Sequence, residues 1–194
     1  MRFLLLFWFS AFTWALTAQS TDSETVYRTI KVNGKVHTFK TSLKKTYPYD
    51  VDLRTVQGDT LNSTDIFAQN GKPTVLVFWL TTCVPCQYEL AAIDKKIEAW
   101  REEADFNLYA ISEDLSSRGE KFIYHARARK WQFDAFHDYS RTFRRIMSEG
   151  LSGMPQTFLL NKDGEIVYHK KKYRMGDEDA LFDEIRLLNL EDEK

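Results

Sequence analysis

Three features of the 194-residue chain predict an α/β fold with a central mixed sheet flanked by helices. The run TVLVFWL, residues 74–80, is unbroken and rich in strand formers, the pattern of a strand buried on both faces. Leu90, Ile93, Ile97 and Trp100 then recur at helical spacing directly after it. Beyond them, apolar strand-like and helix-like segments alternate before a hairpin and a last helix close the chain.

The elements follow in order. MRFLLLFWFSAFTWALTAQ carries one arginine, an apolar run from Phe3 to Leu16 and small residues around Ala18, which reads as a secretory leader over residues 1–18. The run is shorter than the roughly 20 apolar residues of a spanning helix; an uncleaved anchor is the alternative to cleavage. Residues 19–50 form an N-terminal extension, polar at first. In it VYRTIKVNGKVHTF alternates around Asn33-Gly34, a pair suited to a two-residue hairpin turn. From Val51 to Leu61 a second extended piece turns at Gly58-Asp59, and Asn62 or Ser63 can cap a short helix ending at Asn70-Gly71. After the strand at 74–80, Pro85 stands in the first turn of a helix over about 84–103, where its missing N–H costs nothing. A strand at 106–111, a basic helix at 116–131, a strand at 132–137 and a short helix at 140–147 come next. QTFLL, the turn Asn161-Lys162-Asp163-Gly164, EIVYHK and a helix over 177–190 complete a domain spanning 51–190.

A net charge of −1 argues against nucleic acid or an anionic surface as the main partner. The local runs Arg127-Ala128-Arg129-Lys130 and Lys170-Lys171-Lys172 read as solvated faces. The length left after the leader suits one core, and a monomer is expected.

Chemistry concentrates at Cys83 and Cys86, the only two cysteines in the chain. Both follow the C-terminal end of a predicted buried strand and open a helix, where ligands gather in α/β sheets and where free N–H groups stabilise anions. Cys83 is thus placed to be a thiolate with a lowered pKa, and Cys86, one turn on, to displace whatever Cys83 has attacked. A purely structural disulfide closing so short a loop constrains the unfolded chain little. Zinc needs four ligands, and His37, His125, His137 and His169 show no paired spacing. No metal and no cofactor is expected. Glu89 borders the apolar stripe of this helix, and Ala92 and Ile93 one turn further on offer it no cation. Burial without a partner raises a carboxyl pKa, which suits an acid/base that exchanges a proton with the cysteine pair.

The buried strand, the Cys-x-x-Cys helix and Gly153-Met154-Pro155-Gln156-Thr157 before the last hairpin together resemble the thioredoxin-like fold. Within it they resemble the exported TlpA/ResA-type thiol-disulfide oxidoreductases of the AhpC/TSA-redoxin-like superfamily, over roughly residues 50–190. The resemblance implies that Cys83 is the nucleophile, that Cys86 resolves, that Glu89 stands where ResA-type proteins carry an active-site glutamate, and that Pro155 is a cis-proline facing the disulfide. Met154, Thr82 and Trp79 are the expected substrate contacts. It also implies a periplasmic or membrane-tethered protein that acts on protein disulfides or dithiols, usually as a reductant, with cytochrome c maturation proteins among its partners and a membrane electron donor behind it.

Two positions depart from the pattern. Thr82 stands where most relatives have tryptophan, and Val77 where thioredoxin has a buried aspartate, so the usual acid must be absent or replaced. A thioredoxin-fold copper-binding metallochaperone is the alternative, with Cys83, Cys86 and a histidine as soft ligands; related carriers space their cysteines by three residues, unlike this pair. A peroxidase fits less well, because PxxxTxxC is missing around either cysteine.

Overall fold

The computed structural model describes residues 25–32, 35–42, 50–67, 71–147 and 150–192. The expected leader lies outside them, as does the turn pair Asn33-Gly34. Strands β1 (Thr25–Val32) and β2 (Lys35–Ser42) pair antiparallel, with Val32 opposite Lys35, as the expected hairpin requires.

The remaining strands form one seven-stranded sheet. They are β3 (Asp52–Arg54), β4 (Thr60–Asn62), β5 (Thr74–Trp79), β6 (Asn107–Ser112), β7 (Asp134–His137), β8 (Gln156–Leu160) and β9 (Ile166–Lys171), in the order β4-β3-β7-β6-β5-β8-β9. β5, β6 and β7 run parallel, while β8, β9, β3 and β4 add antiparallel neighbours at both sides. The sheet is therefore mixed, and among the described residues five helices accompany it: α1 (Ser63–Ile66), α2 (Val84–Glu103), α3 (Gly119–Arg129), α4 (Phe143–Ile146) and α5 (Asp177–Asp192). Among the described residues, no helix is long and apolar enough to cross a membrane.

β5 shows why its sequence has no polar alternation. Val75, Val77 and Trp79 face one cluster with Leu90, Ile93, Ile97, Phe122 and Ile185, from α2, α3 and α5. Leu76 and Phe78 face the other with Phe67, Phe143 and Phe158. A strand with helices on both sides has no wet face, so every residue from Thr74 to Trp79 is buried.

Local signals set the element ends. The side chain of Asn62 accepts a hydrogen bond from the backbone N–H of Thr64 and caps α1, as one of the two expected caps does. The expected basic helix begins later than its pattern suggests: Ser116–Arg118 form a 3-10 turn, and α3 starts at Gly119. α3 ends where Lys130 enters the left-handed region at φ 51°.

Candidate active site

α2 begins where β5 delivers the chain to the C-terminal end of the parallel strands. Cys83 is its N-cap, and the N–H of Cys86 points at the Cys83 sulfur at 3.3 Å. Cys83 and Cys86 are joined by a disulfide. Cys83 is partly exposed, whereas Cys86 is fully buried among Leu90, Ile93 and Ile97, so only the first sulfur is open to an incoming group. Val84, Pro85 and Tyr88 surround the pair with exposed surface, and Tyr88 is 66% exposed.

The turn between β5 and α2 is held from beneath by a residue that sequence reasoning missed. Asp114 is fully buried, with Oδ2 accepting from the Thr81 N–H at 2.8 Å and Oδ1 from the Thr81 hydroxyl at 3.0 Å. The Ser112 hydroxyl donates to Oδ2 as well, at 2.9 Å. From above, the Gln87 amide donates to the Thr81 carbonyl at 3.0 Å. Behind Asp114, its carbonyl lies 2.9 Å from His137 Nε2; a carbonyl only accepts, so His137 carries its proton on Nε2. Thr82 and Cys83 thus extend from a fixed support, and Thr82 is exposed beside the pair.

Pro155 enters from β8. Phe78 is opposite Gln156 in the β5–β8 register, so Pro155, one residue earlier, sits at the end of the sheet from which the cysteine turn departs. The Met154–Pro155 bond is cis. Gly153 precedes it at φ 76°, a conformation that L side chains rarely adopt, so glycine is required to lead the chain into this turn. The buried Gln156 braces the turn, donating through Nε2 to the carbonyls of Ser152 at 3.1 Å and Gly153 at 3.0 Å. Met154 is half-buried and packs against both clusters of the core.

Trp79 does not fit a role in substrate contact. It is fully buried, edge-on to Trp131 at 5.2 Å between ring centroids and 6.4 Å from Phe122, so no face is left for a substrate. Its place in the strand points it into the α2–α3 cluster, and it supports the site only through packing.

Glu89 is more deeply enclosed than its position on the helix suggests, at 4% exposed. Its Oε1 accepts from the Thr157 hydroxyl at 2.7 Å, while the equally buried Oε2 has no hydrogen-bond partner. Burial pushes the carboxyl up to about 7; the carboxylates of Asp177 and Glu178 add to the rise, and the Thr157 hydrogen bond and Lys170 oppose it. The aspartate expected in β5 of a thioredoxin is Val77 here, and Glu89 is a buried carboxyl carried on α2 one turn after Cys86.

A second buried acid stands at the same end of the sheet. Glu113 follows β6, its N–H bonded to the Trp79 carbonyl at 2.9 Å, and desolvation, then the carboxylate of Asp138, push it up to about 8. Arg144 Nε approaches its Oε2 at 3.4 Å, and the charges of Arg144 and Arg141 oppose the rise without cancelling it.

Among the described residues, no group of three or more His, Cys, Asp and Glu side chains converges as metal ligands would. His169 stacks on Phe158 at 3.9 Å between ring centroids and contacts Gln156 Oε1 at 2.9 Å. Nε2 of His137 is likewise engaged, by the Asp114 carbonyl at 2.9 Å.

A thioredoxin-like protein of Porphyromonas gingivalis is 31% identical, with a TM-score of 0.63 over 76% of this chain and 95% of that one. A protein of Chlorobium tepidum assigned as thiol:disulfide interchange protein DsbE is 22% identical, with a TM-score of 0.61 over 76% of this chain and 99% of that one. StoA of Bacillus subtilis is 21% identical, with a TM-score of 0.55 over 72% and 99%. A comparison with curated protein sequences finds no match. The AhpC/TSA family pattern matches residues 43–169, which hold the cysteine pair, Glu89 and Pro155. The chain therefore belongs to the AhpC/TSA family, with a thioredoxin fold.

Proposed function

We propose that the chain is an exported thiol-disulfide oxidoreductase that reduces disulfides of protein partners through Cys83-Val84-Pro85-Cys86. One observation carries the reading: an accessible and a buried cysteine share the first turn of α2, with a buried carboxylic acid titrating near neutrality one turn behind. A staple would need neither the asymmetry of exposure nor the acid.

The chemistry balances without a cofactor. In the reduced protein the Cys83 thiolate attacks one sulfur of the partner's disulfide; that bond breaks, a mixed disulfide forms, and one partner thiolate leaves and takes a proton from water. The Cys86 thiol then passes its proton to the Glu89 carboxylate and attacks Cys83 Sγ, which releases the second partner sulfur as a thiolate. Two electrons have moved from the cysteine pair to the partner. An external dithiol, held in the membrane in the exported setting, restores the pair by the reverse steps, and the Glu89 proton returns to Cys86. Pro155 and Met154 border the groove where the partner's chain lies, and Thr82 lines its approach.

The wider reading has the leader at 1–18 deliver a monomer with an extension at 19–50 and a redox domain at 51–190 to the periplasm, free or tethered. Cytochrome c maturation proteins are then natural partners. The reading is tested by following a disulfide-bonded protein in the presence of a dithiol donor. Catalytic amounts of the full chain should release two thiols per turnover and speed reduction at least about tenfold over the donor alone. A rate equal to that of the donor alone would rule the reading out.

A further inference from the structure

Glu89 has two oxygens for the transferred proton, and Thr157 on β8 distinguishes them. We propose that Thr157 is a positioning residue for proton transfer at Cys86: by donating to Oε1 of Glu89 it assigns the mobile proton to Oε2. The proposal rests on the acid/base role of Glu89 given above.

Residues two apart on a strand share a face, so Thr157 lies on the side of β8 that also carries Leu159, a member of the α2 cluster. Its hydroxyl is 2.7 Å from Oε1, and Thr157 itself is 2% exposed, so water does not compete for the bond. With Oε1 occupied as an acceptor, the proton of the neutral acid belongs on Oε2, the buried oxygen with no partner of its own.

Other groups act on Glu89 through space. Tyr168 and Lys170 come from β9, Tyr173 from the turn after it, and Asp177 and Glu178 from the start of α5. Lys170 is paired with Asp177 at 2.9 Å and Glu178 with Lys96 at 2.9 Å, so neither cation is free to replace the Thr157 bond.

A donor to Oε1 favours the carboxylate, and its loss must raise the pKa. The test is the pH profile of disulfide exchange from about pH 5 to 9 for the wild type, Thr157→Val, Thr157→Ser and Glu89→Gln. The wild-type profile should turn near the Glu89 value of about 7. Thr157→Val, similar in shape but without the hydroxyl, should move the turning point upward by about one pH unit, and Thr157→Ser should restore it. An unmoved profile in Thr157→Val, or an equal displacement in Thr157→Ser, overturns the proposal. If Glu89→Gln itself keeps the turning point, the acid/base assignment of Glu89 fails, and the role of Thr157 falls with it.

Discussion

Cys83→Ser abolishes disulfide exchange, with an expected loss of at least about 10³-fold, whereas Cys86→Ala stops the reaction one step later as a stable mixed disulfide on Cys83. The asymmetry follows from burial and from the helix start. Cys83 is partly exposed and receives the Cys86 N–H at 3.3 Å, a contact that favours a negative sulfur. Cys86 is fully buried behind it and can reach only Cys83 Sγ itself. Serine keeps the N-cap geometry but is not ionised near neutral pH, so the helix survives and the nucleophile does not. Mass spectrometry of Cys86→Ala mixed with a disulfide-bonded partner should find the adduct at residue 83. An active Cys83→Ser protein would reverse the assignment of the two cysteines.

Asp114→Ala should cost about 3–5 kcal/mol of stability, the largest effect expected of a residue that touches no substrate. Both carboxylate oxygens are in use, and the substitution leaves the Thr81 N–H, the Thr81 hydroxyl and the Ser112 hydroxyl buried without their acceptor. Because Thr81 anchors the turn that carries Thr82 and Cys83, activity at low temperature should fall along with the urea midpoint. Asp114→Asn retains the shape but replaces one acceptor by a donor, so its loss should be smaller. A midpoint unchanged in Asp114→Ala would show that the turn is held by the Gln87 contact and strand packing alone.

What the sequence made legible depended on whether a residue's partner lies close in the chain. β5 and α2 were readable because the period of each run records its own burial, and the cysteines were readable because their spacing matches a helical turn. Glu89 was half readable. Helical angles put it beside the apolar stripe, but β8, almost 70 residues on, turned that border position into full burial and supplied Thr157 as its partner. Asp114 and Thr81 are 33 residues apart and meet only because β5 and β6 pair in parallel, so no local pattern marks them. Trp79 was misread for a different reason: the unbroken run already implied cover on both faces, the substrate role came with the resemblance, and α3, with Trp131 beyond it, closes over the indole. The 3-10 turn at Ser116–Arg118 shows a further limit at an element end, where a helical composition extends beyond the regular helix.

Cys83 and Cys86 are expected to act as one two-electron couple. The direct measurement is equilibration of the full chain in glutathione or dithiothreitol buffers of graded potential, followed by acid quench, alkylation and mass analysis. Both thiols should disappear together along a single two-electron curve, with a potential inside the range of catalytic dithiols, roughly −120 to −270 mV, and not below about −300 mV as for a structural bridge. Thiols that remain alkylatable in every oxidising buffer, or a disulfide that none of the reducing buffers opens, would contradict it.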